Sequence, residues 1–222
     1  MANNVMLNSI NMKIEDMPIL TDDVGRKSYV EWGKMDKFPY KIFELYSQSG
    51  FHKAIIDSKV NMMCGDGLII DDEIPTRGTE RFIKSPNSYE TMDTLFNKLS
   101  YDYEIYGLCY IELIYSTDRS HIAELHHIDA SKIRWGKKQG NKLNYVIYSD
   151  NWKKSTSQKD EIITFNPKLK EKHPRQILPI VKYTPSINYY TYPTYFGGIK
   201  WVEIDKEIAN YHEKNIKNGM MP

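Results

Sequence analysis

The stretch LHHIDAS, residues 125–131, contains the residue types that come closest to a catalytic or metal-binding group. Imidazole nitrogens and carboxylate oxygens are ligands for Zn²⁺, so His126, His127 and Asp129 could belong to a metal-dependent hydrolase. The stretch lies at the end of an expected strand, where consecutive side chains point to opposite faces and His126 is separated from His127. Asp129 could share a face with His127, but two ligands do not complete a site. We therefore expect no metal here and interpret Asp129 as the residue that shapes the following turn.

Other arrangements of catalytic residues do not occur in the sequence. It has no HExxH or CxxC motif, no serine in GxSxG, and no phosphate-binding loop of the type GxxxxGK[ST] or GxGxxG. Cys109 falls in the middle of an expected strand, where a buried thiol is usually inert. The sequence thus predicts a protein that is not an enzyme, with no catalytic residue, no metal, no cofactor-binding residue and no cofactor.

A nucleic-acid-binding module is a second alternative. The aromatic run Tyr189–Phe196 could stack bases, and the segment Lys168–Arg175 contains several basic residues. However, no Lys or Arg lies between the aromatic residues, and the formal net charge is only +1. Packing or subunit contact is the favoured interpretation of the aromatic run, and a solvated loop that of the basic segment.

The periodicity of apolar residues predicts an α+β fold, in which helices flank an antiparallel β-hairpin or meander region and a long amphipathic helix closes the chain. Each helix is predicted from an apolar stripe at helical spacing. Helices are expected around Pro39–Tyr46, around Phe51–Met62, at Asn87–Tyr106 and at Gly198–Asn218. Strands are expected at Leu68–Ile70, Leu108–Tyr115, His121–Ile128, Ser131–Trp135, Lys142–Ser149, Glu161–Phe165 and Gln176–Tyr183.

Composition and periodicity divide the 222 residues into an irregular N-terminal arm, residues 1–37, and an α+β body, residues 38–222. The arm is rich in Asn, Asp and Met and has weak periodicity. Two cysteines are too few for a disulfide framework and indicate a reducing compartment. No apolar stretch approaches the length that spans a bilayer, so no membrane partner is expected.

The order of these elements resembles that of tailed-bacteriophage portal proteins. A helix ending at Tyr106-Gly107 leads into the strand Leu108–Tyr115, and a second strand ends in LHHIDASKIRW. Later, the step Pro193–Ile199 precedes a helix that ends in Asn218-Gly219 with Pro222 just after it. The sequence is most similar to portal proteins of Bacteroidetes phages and prophages, including the crAss-like group. The resemblance covers the body and corresponds to the N-terminal half of a portal, so we expect the body to be incomplete at its C-terminus.

The resemblance implies a structural subunit of the virion, in a homo-oligomeric ring of about twelve copies at one capsid vertex. Such a ring is the conduit for double-stranded DNA during packaging and ejection. It contacts the major capsid protein, and it docks the terminase and then the head-tail connector proteins. The subunit would reside in the host cytoplasm during assembly. No catalytic residue is implied, because the packaging ATPase is a separate protein.

Overall fold

The fold is known from a computed structural model, which describes residue 20 and residues 27–69, 77–138, 140, 144–154, 156–217 and 219. Five α-helices and six strands occur in these residues, so the predicted α+β class is confirmed. Within them, no helix is long and apolar enough to cross a membrane.

The helices begin and end at residues whose chemistry explains the boundaries. Ser49 caps α2 by accepting a hydrogen bond from the His52 backbone N–H, and Thr91 caps α4 in the same way. Gly107 ends α4 in the left-handed conformation, with φ of 81°. The helices are α1 (Phe38–Gln48), α2 (Gly50–Cys64), α3 (Arg77–Lys84), α4 (Met92–Tyr106) and α5 (Ile199–Lys217).

A mixed six-stranded sheet forms the centre of the described fold, with the strand order β2-β1-β6-β5-β4-β3. Its neighbours are antiparallel, except that β5 and β6 run parallel. The predicted hairpin is present, with Leu113 opposite Leu125. The strands are β1 (Leu108–Tyr115), β2 (Ile122–Ile128), β3 (Ile133–Trp135), β4 (Tyr145–Tyr148), β5 (Asp160–Thr164) and β6 (Arg175–Val181).

Strand β1 is covered on both faces, because its alternate side chains enter two different apolar clusters. Leu108 and Tyr110 belong to the main core, whereas Cys109 packs in a smaller cluster with Leu95 and Leu99 of α4. This alternation follows from the period of two in a strand. It fixes α4 against the β1–β2 hairpin.

The end of the predicted arm contributes to this core. Trp32 is fully buried and stacks on Tyr190, with ring centroids 4.9 Å apart. Tyr29 forms an isolated antiparallel bridge with Gly136, next to β3. Residues 27–37 therefore pack on the body, whereas 1–19 and 21–26 lie outside the described residues. The domain boundary after residue 37 stays a prediction.

Two predicted elements near the ends of α2 and α4 are wrong in detail. Leu68 and Ile69 lie in an exposed irregular segment rather than a strand, and the Leu68 N–H donates to Asp93 Oδ1 at 2.8 Å. Ile70 lies outside the described residues. The helix predicted from Asn87 begins at Met92, because the Asn87 side chain accepts hydrogen bonds from two nearby N–H groups and holds a turn.

Two further differences from the prediction concern strand boundaries, and a third concerns a helix. A 3₁₀ turn, Ala130–Lys132, takes the beginning of the strand that was expected from Ser131. The strand predicted over Lys142–Ser149 is limited to Tyr145–Tyr148, and residues 141–143 lie outside the described residues. Helix α3 was not predicted. It has eight residues, of which only Phe82 and Ile83 are large and apolar, so its sequence has no apolar stripe repeated over several turns.

Candidate functional site

The two histidines of LHHIDAS lie on β2 and contact different carboxylates. His127 Nε2 is 2.8 Å from Asp102 Oδ2 on α4, whereas His126 Nε2 is 2.8 Å from Glu124 Oε2. The register is regular across this part of the hairpin, so the adjacent side chains point to opposite faces of the sheet. The separation that the sequence predicts is therefore present. A metal ion could not use both imidazoles without breaking the strand.

Asp102 and Asp129 stabilise the turn that follows β2. Asp129 Oδ1 accepts a hydrogen bond from the Ser131 N–H at 2.8 Å, as the turn prediction requires. Asp102 is buried, and besides its contact with His127 it accepts from the Ala130 N–H at 2.9 Å. Burial raises the pKa of the Asp102 carboxyl above its usual range. These contacts join α4 to the β2–β3 turn. The carboxylates of Asp102 and Asp129 thus already accept hydrogen bonds from groups within the fold.

The described part of the chain gives no further indication of a metal site or of a reactive cysteine. It contains no group of three or more His, Cys, Asp or Glu residues with the spacing of a metal site. Cys109 lies beneath α4, and burial raises the pKa of its thiol to about 12. A thiol of this kind is almost entirely protonated at neutral pH and is a poor nucleophile.

The aromatic run Tyr189–Phe196 packs inside the fold. The hypothesis that it stacks nucleic-acid bases is therefore wrong for its buried rings. Tyr189 and Tyr190 are buried, and the Tyr190 hydroxyl donates to the Val30 carbonyl at 2.6 Å. Tyr192 stacks on Phe196 with ring centroids 3.9 Å apart. Tyr190 thereby holds Val30 and Trp32 of the arm against the body, which agrees with the packing interpretation.

The basic segment Lys168–Arg175 lies on the connection between β5 and β6. Lys168 and Lys172 are exposed, and Arg175 forms an ion pair with Glu112 of β1. A short 3₁₀ turn, Pro167–Leu169, occupies the start of the connection. The segment is thus a solvated loop with one of its cations already paired.

Helix α2 has apolar residues on two sides, and only one side is covered. His52, Ile56 and Val60 are buried against the body. The residues whose helical spacing predicted this helix lie on its exposed side, and we call this set, Phe51, Ile55, Ser58 and Met62, the α2 stripe. Phe51 is 78% exposed, Ile55 59% and Met62 83%.

Helix α5 also has one covered side and one apolar side that is exposed. Its buried residues are Ile199 and Glu203, and Lys206 on that side forms an ion pair with Glu44 of α1. At 3.6 residues per turn, the predicted stripe projects away from the body. We call this set, Trp201, Ile204, Ile208 and Tyr211, the α5 stripe. Trp201 is 75% exposed, Ile208 46% and Tyr211 40%.

These two stripes are the candidate functional site. An exposed apolar surface of several large side chains on one element marks a contact with another molecule more often than chance exposure does. Periodicity identified the stripe residues as helix faces, but it did not indicate whether each face is buried or exposed. For α2 a signal was available, because apolar residues on two sides of one helix indicate two separate contacts. For α5 the sequence alone contains no comparable signal.

Comparison with known proteins supplies a fold assignment. No protein-family profile and no curated protein matches the sequence. Among solved structures, a chain in the virion of a native gene transfer agent particle superposes with a TM-score of 0.63 at 12% identity, over 83% of this chain and 46% of that chain. This chain therefore shares the fold of that chain in the gene transfer agent virion over most of its length.

Two further matches come from the necks of these particles. A chain in the neck of an empty gene transfer agent particle, computed with C6 symmetry, gives a TM-score of 0.62 at 13% identity over 82% of this chain and 47% of that chain. A chain in the neck of the native particle, computed with C12 symmetry, gives 0.56 at 13% identity over 83% and 47%. This chain spans less than half the length of the chains that it matches.

Proposed function

We propose that this chain is a structural subunit of a phage-like virion and forms a homo-oligomeric ring at the portal vertex. The observation that carries the proposal is its fold, which it shares with chains in neck structures that were computed with cyclic symmetry. The portal assignment rests in addition on the helix–strand order around Tyr106-Gly107 and on the step Pro193–Ile199, which resemble portal proteins, with the crAss-like group as the suggested branch.

The exposed stripes support a subunit that is completed by its neighbours. Phe51, Met62 and Trp201 are largely exposed in the monomer. Association that buries them would be favourable by roughly 25 cal/mol per Å² of apolar surface. In the proposed ring, neighbouring subunits would contact each other side by side through these surfaces. The proposed copy number is twelve.

The proposed role is passive conduction of double-stranded DNA, with terminase docking during packaging and the head-tail connector afterwards. The near-neutral net charge of +1 agrees with this role. A strongly basic surface would hold DNA through many phosphate contacts instead of letting it slide. Neither the histidine contacts on β2 nor the basic loop gives a specific reason to prefer a hydrolase or a nucleic-acid-binding module.

The test is the size and symmetry of the purified full-length product. Electron microscopy with class averages and mass photometry over a range of protein and salt concentrations are expected to show closed rings, with twelve-fold averages predominating. A protein that stays monomeric under every assembly condition would refute the proposal. Rings with a different number of subunits would keep the ring and correct the copy number.

A further inference from the structure

A cyclic ring places a specific demand on the surface of its subunit. Each copy contacts the next through a head-to-tail interface, which needs two different surfaces on one chain that fit each other. The described residues present two exposed apolar stripes on two different helices, namely the α2 stripe and the α5 stripe. Two stripes on one chain are the number that a head-to-tail ring requires.

The dimensions of the two stripes agree. Phe51 and Met62 lie eleven residues apart on α2, which corresponds to ~16 Å at 1.5 Å per residue, and Trp201 and Tyr211 lie ten residues apart on α5, or ~15 Å. Two helices of this kind can pack along three turns with neither stripe left in water.

The side chains also differ in size in a complementary way. On α2 the exposed small residues Ala54 and Ser58 lie beside Phe51, Ile55 and Met62, so the surface has shallow places between larger groups. The α5 stripe offers large projecting groups, above all Trp201. Packing of large side chains into the gaps of a facing helix is the usual geometry of helix pairs.

We propose that the α5 stripe of one copy packs against the α2 stripe of the next copy around the ring. This inference rests on the proposed function, since it names the contact that closes the proposed ring. The alternatives are symmetric pairs, in which α5 meets α5 or α2 meets α2. A symmetric pair closes at two copies and leaves the other stripe in water.

The experiment uses two variants of the full chain, each with one damaged stripe: Ile55→Lys on α2 and Trp201→Lys on α5. Both side chains are largely exposed, so neither change disturbs the core. Each variant alone is expected to be monomeric by mass photometry, because every contact in the ring would include one damaged surface. An equimolar mixture is expected to stop at a heterodimer, because one undamaged α5 stripe then meets one undamaged α2 stripe.

Tyr183→Lys is the matched control, since Tyr183 is 83% exposed and lies on neither stripe. It is expected to form rings as the wild type does. Circular dichroism and thermal melting of each variant check folding. If either variant melts early, Met62→Lys and Ile208→Lys form a second pair with the same expected outcome.

The results separate this inference from the proposed function. If the wild type forms rings and both lysine variants still form them, the ring stands and the α2–α5 contact is wrong. A variant that dimerises on its own, or a mixture that remains monomeric, also overturns the contact. A wild type that never assembles removes the proposed function, and the contact falls with it.

Discussion

Helices α4 and α5 have similar apolar periodicity in the sequence and opposite environments in the fold. The stripe of α4 includes Leu95 and Leu99, which are 2% and 6% exposed beneath the β1–β2 hairpin. The stripe of α5 includes Trp201 and Ile208, which are 75% and 46% exposed. An apolar stripe therefore indicates that one side of a helix packs against another surface. It does not indicate whether that surface belongs to the same chain.

The largest expected difference between the two helices concerns the removal of one apolar side chain from each. Leu95→Ala on α4 should lower the free energy of unfolding by ~2–5 kcal/mol, because it removes packed methyl groups and leaves a cavity. Ile208→Ala on α5 should change it by less than about 0.5 kcal/mol in the monomer, because the side chain is half in water and alanine favours the helix.

Urea unfolding measures the free energy of unfolding of both variants, at protein concentrations low enough for each to be monomeric. Equal losses for Leu95→Ala and Ile208→Ala would show that α5 is packed on its own chain. In that case the α5 stripe would not be available to a neighbouring copy. If the proposed ring forms, Ile208→Ala is expected to weaken its assembly at higher protein concentration although the stability of the monomer is unchanged.

The difference between local and long-range contacts explains how much of the fold the sequence predicts. The β1–β2 hairpin follows from local alternation and a polar turn, and its register needs no distant information. The parallel pairing of β5 with β6, by contrast, depends on the path of the connection over residues 165–174, which is not encoded in an apolar pattern. Trp32 enters the core from a segment without periodicity, so its burial could not be predicted either.

For the candidate site the limit is of a different kind. The residues of both stripes were predicted as helix faces, and the spacing of Phe51 to Met62 and of Trp201 to Tyr211 is as expected. What periodicity cannot supply is the neighbour, since burial within a chain and burial between chains select the same residue types. The separation of His126 from His127 was predictable because the pleat of a strand fixes it locally.

The glycines next to the two helices extend the comparison with a smaller effect. Gly107, directly after α4, has φ of 81°, and a Cβ there would lie 2.9 Å from the Tyr192 carbonyl oxygen. Gly107→Ala should therefore destabilise the fold by roughly 1–3 kcal/mol. Gly198, directly before α5, has open space around it and no positive φ, so Gly198→Ala should be neutral or stabilising by about 0.4–1 kcal/mol.

Thermal and urea unfolding of the two alanine variants form a matched pair, because the chemical change is the same. A marked loss for Gly198→Ala would mean that the α5 junction is as tightly packed as the α4 junction. A tolerated Gly107→Ala would mean that the Tyr192 backbone can move away, and that the end of α4 is less fixed than its cap geometry indicates.

The smallest expected effect concerns the covered side of α2, where His52 is directly beside the exposed Phe51. His52 is 5% exposed, its ring contacts Tyr195 edge to face, and its Nε2 has no hydrogen-bond partner. Burial lowers the pKa of His52 below its ordinary value of 6.5. The unfolded chain therefore takes up a proton at a higher pH than the folded chain does.

The contribution of His52 to the free energy of unfolding should thus be fully present above pH 6.5. It should decline as the pH falls from there through the lowered pKa of His52. In His52→Phe, which keeps a ring against Tyr195 and cannot titrate, this part of the decline should disappear. Urea unfolding of both proteins at pH 7.5 and pH 5.5 measures the difference, with His121→Phe in the exposed β1–β2 turn as the control. An identical decline in wild type and His52→Phe would show that His52 gains a proton without leaving its site, and that the covered side of α2 is open to water as its stripe is.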